Sequence, residues 1–174
     1  MTVIEFIAEQ FQRLHGRMED ALDGLNSDQL HWCPGDSSNH IAFNIWHCAR
    51  TEDNVVSIVL SRNPPPIWLG EGWHEKFGGD PRSNGTGMSH EEAVGVRMPD
   101  GGDFMLYMRQ VWERTEEYLK SLGGDESRRV QEGGYKGDLV IDILYDLLVS
   151  HGERHLGEIW TTRGLQGMGR GSPV

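Results

Sequence analysis

The sequence is poor in cysteine and in basic residues, and each shortage excludes a class of protein. Its two cysteines, Cys33 and Cys48, are too few for a disulfide framework. The chain has 16 lysines and arginines against 27 acidic residues, which gives a formal net charge of −11. Because binding to phosphate backbones and anionic lipids needs clustered Lys and Arg, this balance argues against nucleic acid and membrane surfaces as partners.

The sequence also has no long apolar run, and its start does not resemble a secretion signal. No run approaches the roughly 18 residues that a transmembrane helix needs. The first residues, Met1–Glu5, lack the basic start and the apolar core of a signal peptide. We therefore expect a cytoplasmic protein in which residues 1–174 form a single domain.

Apolar side chains recur at helical spacing in four long stretches, which predicts an all-α fold. Boundary signals frame these stretches: Gly24 follows the first, and Pro64–Pro66 end the second. The predicted helices are residues 3–22, about 38–60, about 103–122 and about 138–163. Four amphipathic helices can bury their apolar faces against one another, so we predict a four-helix bundle. The Gly-rich residues 164–174 should form a mobile tail.

A long connection, residues 64–100, separates the second and third predicted helices. It is irregular apart from a short helix that the Ser89–Glu92 capping box should open. Two tryptophans and a phenylalanine lie between positions 68 and 77, whereas disordered segments are poor in aromatic residues. Because a long connection in a compact domain is either functional or disordered, we interpret this one as a lid-like crossover. Its part from Trp68 to Phe77 should shape a substrate pocket.

Two histidines, His151 and His155, lie four residues apart on the predicted fourth helix. At this spacing the rings stand one above the other and can reach one point. Leu144 and Leu147 share their stripe, which indicates that the histidines face the interior. Imidazole is the commonest neutral metal ligand, so the pair is typical of a metal site. A pair of structural histidines would have the same spacing.

A third histidine, His47, lies in the middle of the predicted second helix, beside a strongly apolar surface. Helix bundles build metal sites from inward side chains on facing helices, so His47 is the natural partner of the His151–His155 pair. Three neutral imidazoles leave coordination positions open for water and substrate, as catalytic sites do. We therefore predict that His47, His151 and His155 bind a divalent metal. The alternative is a buried polar cluster held by internal hydrogen bonds.

Three further residues near these histidines are less favoured as ligands. Glu158 lies one turn beyond His155, and it is either a fourth ligand, an acceptor behind a ligand, a general base or a surface ion-pair partner. We favour the acceptor or the surface role. His40 lies nearly two turns before His47 and should face a loop, and Cys48 should be a small buried hydrophobic residue.

At these residues the sequence resembles the DinB/YfiT-like superfamily of metalloenzymes. The resemblance lies in Asn44–Asp53 and His151–Ile159, and it extends to Leu30–Pro34 and Arg163–Gly167. The family pattern of one His on the second helix and His-x-x-x-His on the fourth matches the three histidines above. The resemblance implies a four-helix bundle that binds a divalent metal, most often zinc or nickel, commonly as a homodimer. Characterised relatives include transferases and isomerases that use low-molecular-weight thiols such as bacillithiol, mycothiol or glutathione.

Three functional hypotheses follow from the residues and the resemblance. The first is a metal-dependent thiol S-transferase that acts on small molecules in detoxification or stress response. The second is a metal-dependent hydrolase that uses a metal-bound water, with Glu158 as the first candidate for its general base. The third is a dimeric binding module without catalytic activity. No residue stands out as a catalytic group, and no set of residues selects a particular thiol.

Overall fold

The computed structural model describes residues 1–62, 64–98 and 102–168, and over these ranges the protein is all-α, as predicted. A single isolated β-bridge, between Arg129 and Leu139, is the only extended pairing in these ranges. Within the same ranges, no helix is long and apolar enough to cross a membrane.

The helices of the described ranges fall into four long stretches and several short ones. Their bounds are α1 Val3–Leu22, α2 Ser27–Leu30, α3 Ile41–Asn54, α4 Ile67–Gly70, α5 Trp73–Lys76, α6 His90–Gly95, α7 Gly102–Ser121, α8 Val140–Leu144 and α9 Ser150–Leu165. Two π-helical segments extend them without a break: Val55–Ser61 continues α3, and Tyr145–Val149 joins α8 to α9. The four long stretches are therefore α1, α3 with its extension, α7, and α8 through α9.

Side-chain caps determine where several of these helices begin. Ser89 and Glu92 form the predicted capping box at the start of α6. His40 caps α3, because its Nδ1 accepts a hydrogen bond from the backbone N–H of Phe43 at 2.9 Å. The helix therefore begins at Ile41, slightly later than the sequence predicts.

The last helix extends into the segment that was predicted to be a mobile tail. α9 continues to Leu165, and the Gln166 side chain donates a hydrogen bond to the backbone carbonyl of Gln29 at 3.0 Å. The rest of the predicted tail, residues 169–174, lies outside the described residues, as do residues 99–101 at the end of the crossover.

The four long stretches contact one another in a closed order, α1 to α9 to α3 to α7 and back to α1. Each packs against two neighbours, which is the arrangement expected of a four-helix bundle. Buried apolar side chains fill the space between them, among them Leu14 of α1, Ile45 of α3, Met108 of α7 and Ile159 of α9. The pairing of α3 with α9 brings the predicted metal ligands of the two helices to one place.

The crossover packs onto the bundle through its aromatic residues. Trp68 and Trp73 are buried, and Trp68 packs edge-on against Trp46 of α3. The carboxylate of Asp53 accepts hydrogen bonds from the backbone N–H groups of Ile67 and Trp68, at 2.8 and 2.9 Å. A buried residue of α3 therefore fixes the start of α4.

Gly152 allows α9 to approach α1 closely. A Cβ at this position would lie 2.6 Å from Cδ2 of Leu14, which is buried in the core. We expect Gly152→Ala to lower the free energy of unfolding by about 1 kcal/mol, because overpacking outweighs the better helix propensity of Ala. Gly157→Ala is the matched control, since its Cβ would meet nothing within 4 Å, and it should stabilise the protein by about 0.5–1 kcal/mol. Chemical denaturation measures the free energy of unfolding of both variants. Equal changes in the two would contradict the close packing of Gly152 against Leu14.

His40 makes the stability depend on pH. Burial lowers the pKa of His40 from 6.5 to about 4, so between these values the unfolded chain binds a proton there and the folded chain does not. Stability should therefore fall as the pH falls through this window, by about 3 kcal/mol from this group. His40→Asn keeps a competent cap without the titration, so its stability should vary less from pH 6.5 to 4 than that of the wild type. If the wild type and His40→Asn lose the same stability between pH 6.5 and 4, His40 is not the source of the pH dependence.

Candidate metal centre

The three predicted ligands converge on one point between α3 and α9. His47 Nε2 lies 3.0 Å from His151 Nε2, which lies 3.2 Å from His155 Nε2. All three ligand atoms lie within 4.8 Å of one another. In the described part of the chain, no other group of three or more His, Cys, Asp or Glu side chains converges in this way.

The spacing of the three nitrogen atoms fits a divalent metal. At a zinc–nitrogen distance of about 2.0–2.1 Å, ligand atoms at octahedral or tetrahedral angles lie about 2.8–3.4 Å apart. The two observed separations, 3.0 and 3.2 Å, fall in that range. The donor set also fits, because imidazole nitrogen suits zinc, nickel and other first-row metals.

Hydrogen bonds behind two of the rings fix which nitrogen carries the proton. His47 Nδ1 donates to the backbone carbonyl of Asn84, and His155 Nδ1 donates to Oε2 of Glu158 at 3.0 Å. Since each Nδ1 carries the hydrogen in the neutral ring, each Nε2 presents a lone pair to the common point. Glu158 therefore acts as an acceptor behind His155, on the side of the ring that faces away from the other histidines.

The surroundings of His47 and His151 favour the neutral form of these two rings. Burial, with smaller contributions from the neighbouring His155 and His47, lowers the pKa of His151 to about 4. Burial also lowers the pKa of His47. Near neutral pH these two imidazoles are therefore unprotonated, and a metal ion would not have to displace protons from them.

A cavity of about 690 Å³ opens beside the three histidines. The part of the crossover that lines it is Asn84–His90 with Ala93, together with side chains of α3, α9 and the segment before α9. Residues 68–77 are absent from its wall, so the prediction that they shape this pocket is wrong. The physical reason is that Trp68 and Trp73 are buried in the core, whereas the polar and Gly-rich part of the crossover lies over the histidines.

Gly85 brings this part of the crossover against His47. Its φ is +94°, and an added Cβ would lie 3.0 Å from His47 Nδ1 and 3.1 Å from the rings of Phe43 and Trp46. These close contacts leave room for glycine only. The approach also places the carbonyl of the preceding residue, Asn84, where it accepts the hydrogen bond from His47.

We expect Gly85→Ala to weaken metal binding by at least about tenfold, because it pushes away the acceptor that orients His47. Gly87→Ala is the matched control: Gly87 also has a positive φ, +78°, but an added Cβ would meet nothing within 4 Å. Both substitutions place alanine at a positive φ, but only Gly85→Ala adds a contact with His47, so only it should change the affinity for zinc in a competition titration with a chelator. Equal affinities would show that the contact with His47 is unimportant.

Buried charges hold the crossover in this position. Arg50 is almost fully buried, and its Nε donates to the backbone carbonyl of Ser83, next to Asn84. Its Nη1 donates to Asp53 at 3.3 Å, and its guanidinium lies over the ring of Trp68. This network could not be predicted from the sequence, whose only hint is a run of charged residues on a helix with a strongly apolar surface.

The other side chains considered from the sequence are not ligands. Cys48 is buried, and burial raises the pKa of its thiol, so it is a protonated, apolar side chain as predicted. His40 is fully buried, and its Nε2 lies 3.4 Å from the backbone carbonyl of Val94 in the crossover. It therefore faces the crossover and not the three converging histidines.

Comparisons with known proteins agree with this fold. The chain is similar in structure to a conserved protein from Enterococcus faecalis solved by crystallography, with a TM-score of 0.80 and 23% sequence identity over 95% of this chain and 97% of that one. At this identity the likeness shows the fold alone. No curated protein sequence matches the chain. A family model for the DinB superfamily matches residues 10–159, which include all three histidines. The chain belongs to the DinB superfamily.

Proposed function

We propose that the protein binds a divalent metal, zinc or nickel, through His47, His151 and His155, and that it is a thiol S-transferase acting on small molecules. The observation that carries this proposal is the convergence of three Nε2 lone pairs at the wall of a cavity of about 690 Å³. That volume suits a small-molecule substrate.

The bound cation would supply positive charge that lowers the pKa of a thiol and stabilises the thiolate. In the proposed reaction, the thiol sulfur forms a bond to an electrophilic carbon of the second substrate. The leaving group departs with the bonding electron pair, and the thiol proton passes to solvent. Asn84 and Glu158 keep His47 and His155 in the required tautomer throughout.

The lining of the cavity supports a substrate with both polar and apolar parts. Arg154 lines it and offers a cation to a carboxylate, which glutathione and related thiols carry. Thr51 also lines the cavity. Phe43, Met88 and Leu147 give the same cavity an apolar surface for the electrophile.

The two alternative functions have less support. A hydrolase needs a general base on the open side of the metal, whereas Glu158 contacts the far nitrogen of His155. A binding module without activity would be favoured by a closed pocket over the histidines, and the cavity at the histidines is instead large enough for a substrate.

The test is thiol consumption by the metal-loaded protein. Glutathione, bacillithiol and mycothiol are each mixed with an electrophile such as monobromobimane, and formation of the S-conjugate is followed. We expect one of the thiols to react faster with the metal-loaded wild type than with metal-depleted protein or with metal-treated His47→Ala. If, for every thiol and electrophile, the rate equals that of the metal-depleted protein and that of His47→Ala, the proposed transferase activity is wrong.

We also propose that the protein is a homodimer, as the family resemblance implies, and that it acts in the cytoplasm. Light scattering coupled to gel filtration tests the dimer. The expected mass is twice the 19.6 kDa of one chain, and a mass of one chain at micromolar concentration would exclude it.

A further inference from the structure

A second cavity, of about 610 Å³, has four arginines in its wall: Arg62, Arg114, Arg128 and Arg129. We call it the arginine cavity. Arg62 follows the extension of α3, Arg114 lies on α7, and the other two lie between α7 and α8. Three separate parts of the chain thus contribute arginines to the wall of one concave surface.

The arginine cavity lies far from the three histidines. Its wall includes Val59, which follows His47 by more than three turns of the same continuous helix, about 18 Å along the axis. It also includes Val140, which precedes His151 by a similar distance on the other helix. None of the three histidines lines it. A ligand of this cavity would therefore not contact the metal centre.

The positive charge of the cavity is only partly compensated. The protein has a net charge of −11, yet four of its 16 basic residues meet here, and Glu117 is the one acidic residue among those that line the cavity. Glu132 pairs with Arg62 at 2.7 Å, and buried Asp53 lies 3.9 Å from Arg114. In the described part of the chain, no carboxylate lies within ion-pair distance of Arg128 or Arg129.

The backbone that carries Arg128 and Arg129 is held in place. Val140 N donates to the carbonyl of Arg128 at 2.9 Å, and Val130 N donates to that of Asp138 at 3.0 Å. Arg129 Nη1 donates to the carbonyl of Gly137, which leaves its other N–H groups for a ligand. Because the guanidinium fork matches carboxylate and phosphate oxygens, these two arginines are suited to an anion.

Part of the remaining wall of the cavity is apolar. Val59, Leu60, Val130 and Val140 contribute aliphatic surface, and Tyr118 contributes a ring. A bare inorganic anion would leave this surface unused, whereas an apolar group attached to the anion would cover it. The volume is within the range of small-molecule sites.

We infer that the arginine cavity binds a small organic anion in which a phosphate or carboxylate head is joined to an apolar body. The head contacts Arg128 and Arg129, and the body packs on the valines and Tyr118. The inference is independent of the thiol chemistry proposed for the histidines.

The test is a titration of the metal-depleted full chain at low ionic strength, in which binding is measured by calorimetry and by amide NMR. The probes are phenyl phosphate, benzoate, inorganic phosphate and phenol. We expect phenyl phosphate or benzoate to bind saturably, and at least about tenfold more tightly than either inorganic phosphate or phenol. The shifted amides should be those near Tyr118 and Arg128–Val130, and not those near the histidines.

Arg128→Gln should weaken binding at least about fivefold, because it removes a charged donor. Arg13→Gln is the matched control: it removes the same charge from an exposed position on α1 and should leave affinity unchanged. The inference is overturned if neither organic anion binds saturably, if inorganic phosphate binds equally well, if the two variants lose affinity equally, or if the shifts centre on the histidines. If Arg128→Gln does not fold, the amide shifts of the wild type still show whether the ligand binds in the arginine cavity.

Discussion

Replacing His47 with Ala is expected to abolish stoichiometric binding of a divalent metal while the protein stays helical. His47 is the only one of the three ligands on α3, and its loss leaves two imidazoles on one helix. A bidentate site binds metal far more weakly, and the stabilisation that metal gives by binding only the folded state is lost with it. The measurements are metal content by mass spectrometry, far-ultraviolet circular dichroism, and melting curves with and without zinc.

His90→Ala is the matched control for this experiment. His90 lines the same cavity but is not part of the converging group, so its replacement should leave the metal content unchanged. Full metal occupancy in His47→Ala would contradict the three-histidine site. It would also return His151 and His155 to a purely structural role.

Replacing Asp53 with Ala is expected to cause the largest loss of stability, about 3–5 kcal/mol. The carboxylate accepts hydrogen bonds from the start of α4, from the Tyr107 hydroxyl at 3.2 Å and from Arg50. Without it, the cation of Arg50 stays buried with no opposite charge beside it, and two backbone N–H groups lose their acceptor. The midpoint of thermal unfolding should fall by roughly 6–20 °C for a chain of this size.

A double variant separates the unpaired charge from the other losses. Adding Arg50→Met to Asp53→Ala removes the buried cation, so the pair of changes should cost less than the sum of the two single changes. Additive costs in chemical denaturation would show that the two residues do not interact. A single-variant loss below about 1 kcal/mol would show that Asp53 does not hold the crossover.

The long helices could be predicted because their signals are local. The first predicted helix, residues 3–22, coincides with α1, where Gly24 follows with a positive φ of +71°. The His151–His155 pair could be predicted for the same reason, since spacing on one helix fixes the relation of the two rings. His47 needed one further assumption, that its apolar helix faces the fourth helix, and α3 does lie beside α9.

The wall of the cavity could not be predicted because it depends on which part of the crossover meets which helix. The aromatic character of Trp68 and Trp73 predicts that they are buried, but it does not say where. Both lie in the core and therefore do not line the cavity. The acceptor behind His47 is a backbone carbonyl, which every residue has, so its identity as Asn84 has no mark in the sequence. The closeness of Gly85 to His47 is likewise a tertiary contact.

The buried pair of Arg50 and Asp53 was missed for a related reason. Charged residues on a helix are expected on its exposed side, because an unpaired charge is costly to bury. These two are buried because the crossover supplies partners from distant positions: the N–H groups of Ile67 and Trp68, and the carbonyl of Ser83. Only the folded chain brings these groups together.

Anomalous diffraction would locate the metal ion that we propose three imidazoles from α3 and α9 bind. Crystals are grown from protein purified without a histidine tag or chelator, and data are collected on both sides of the absorption edges of zinc and nickel. We expect one anomalous peak at about 2.0–2.1 Å from each Nε2 of His47, His151 and His155. A map with no peak at this point, or with its peak elsewhere on the protein, would contradict the proposal.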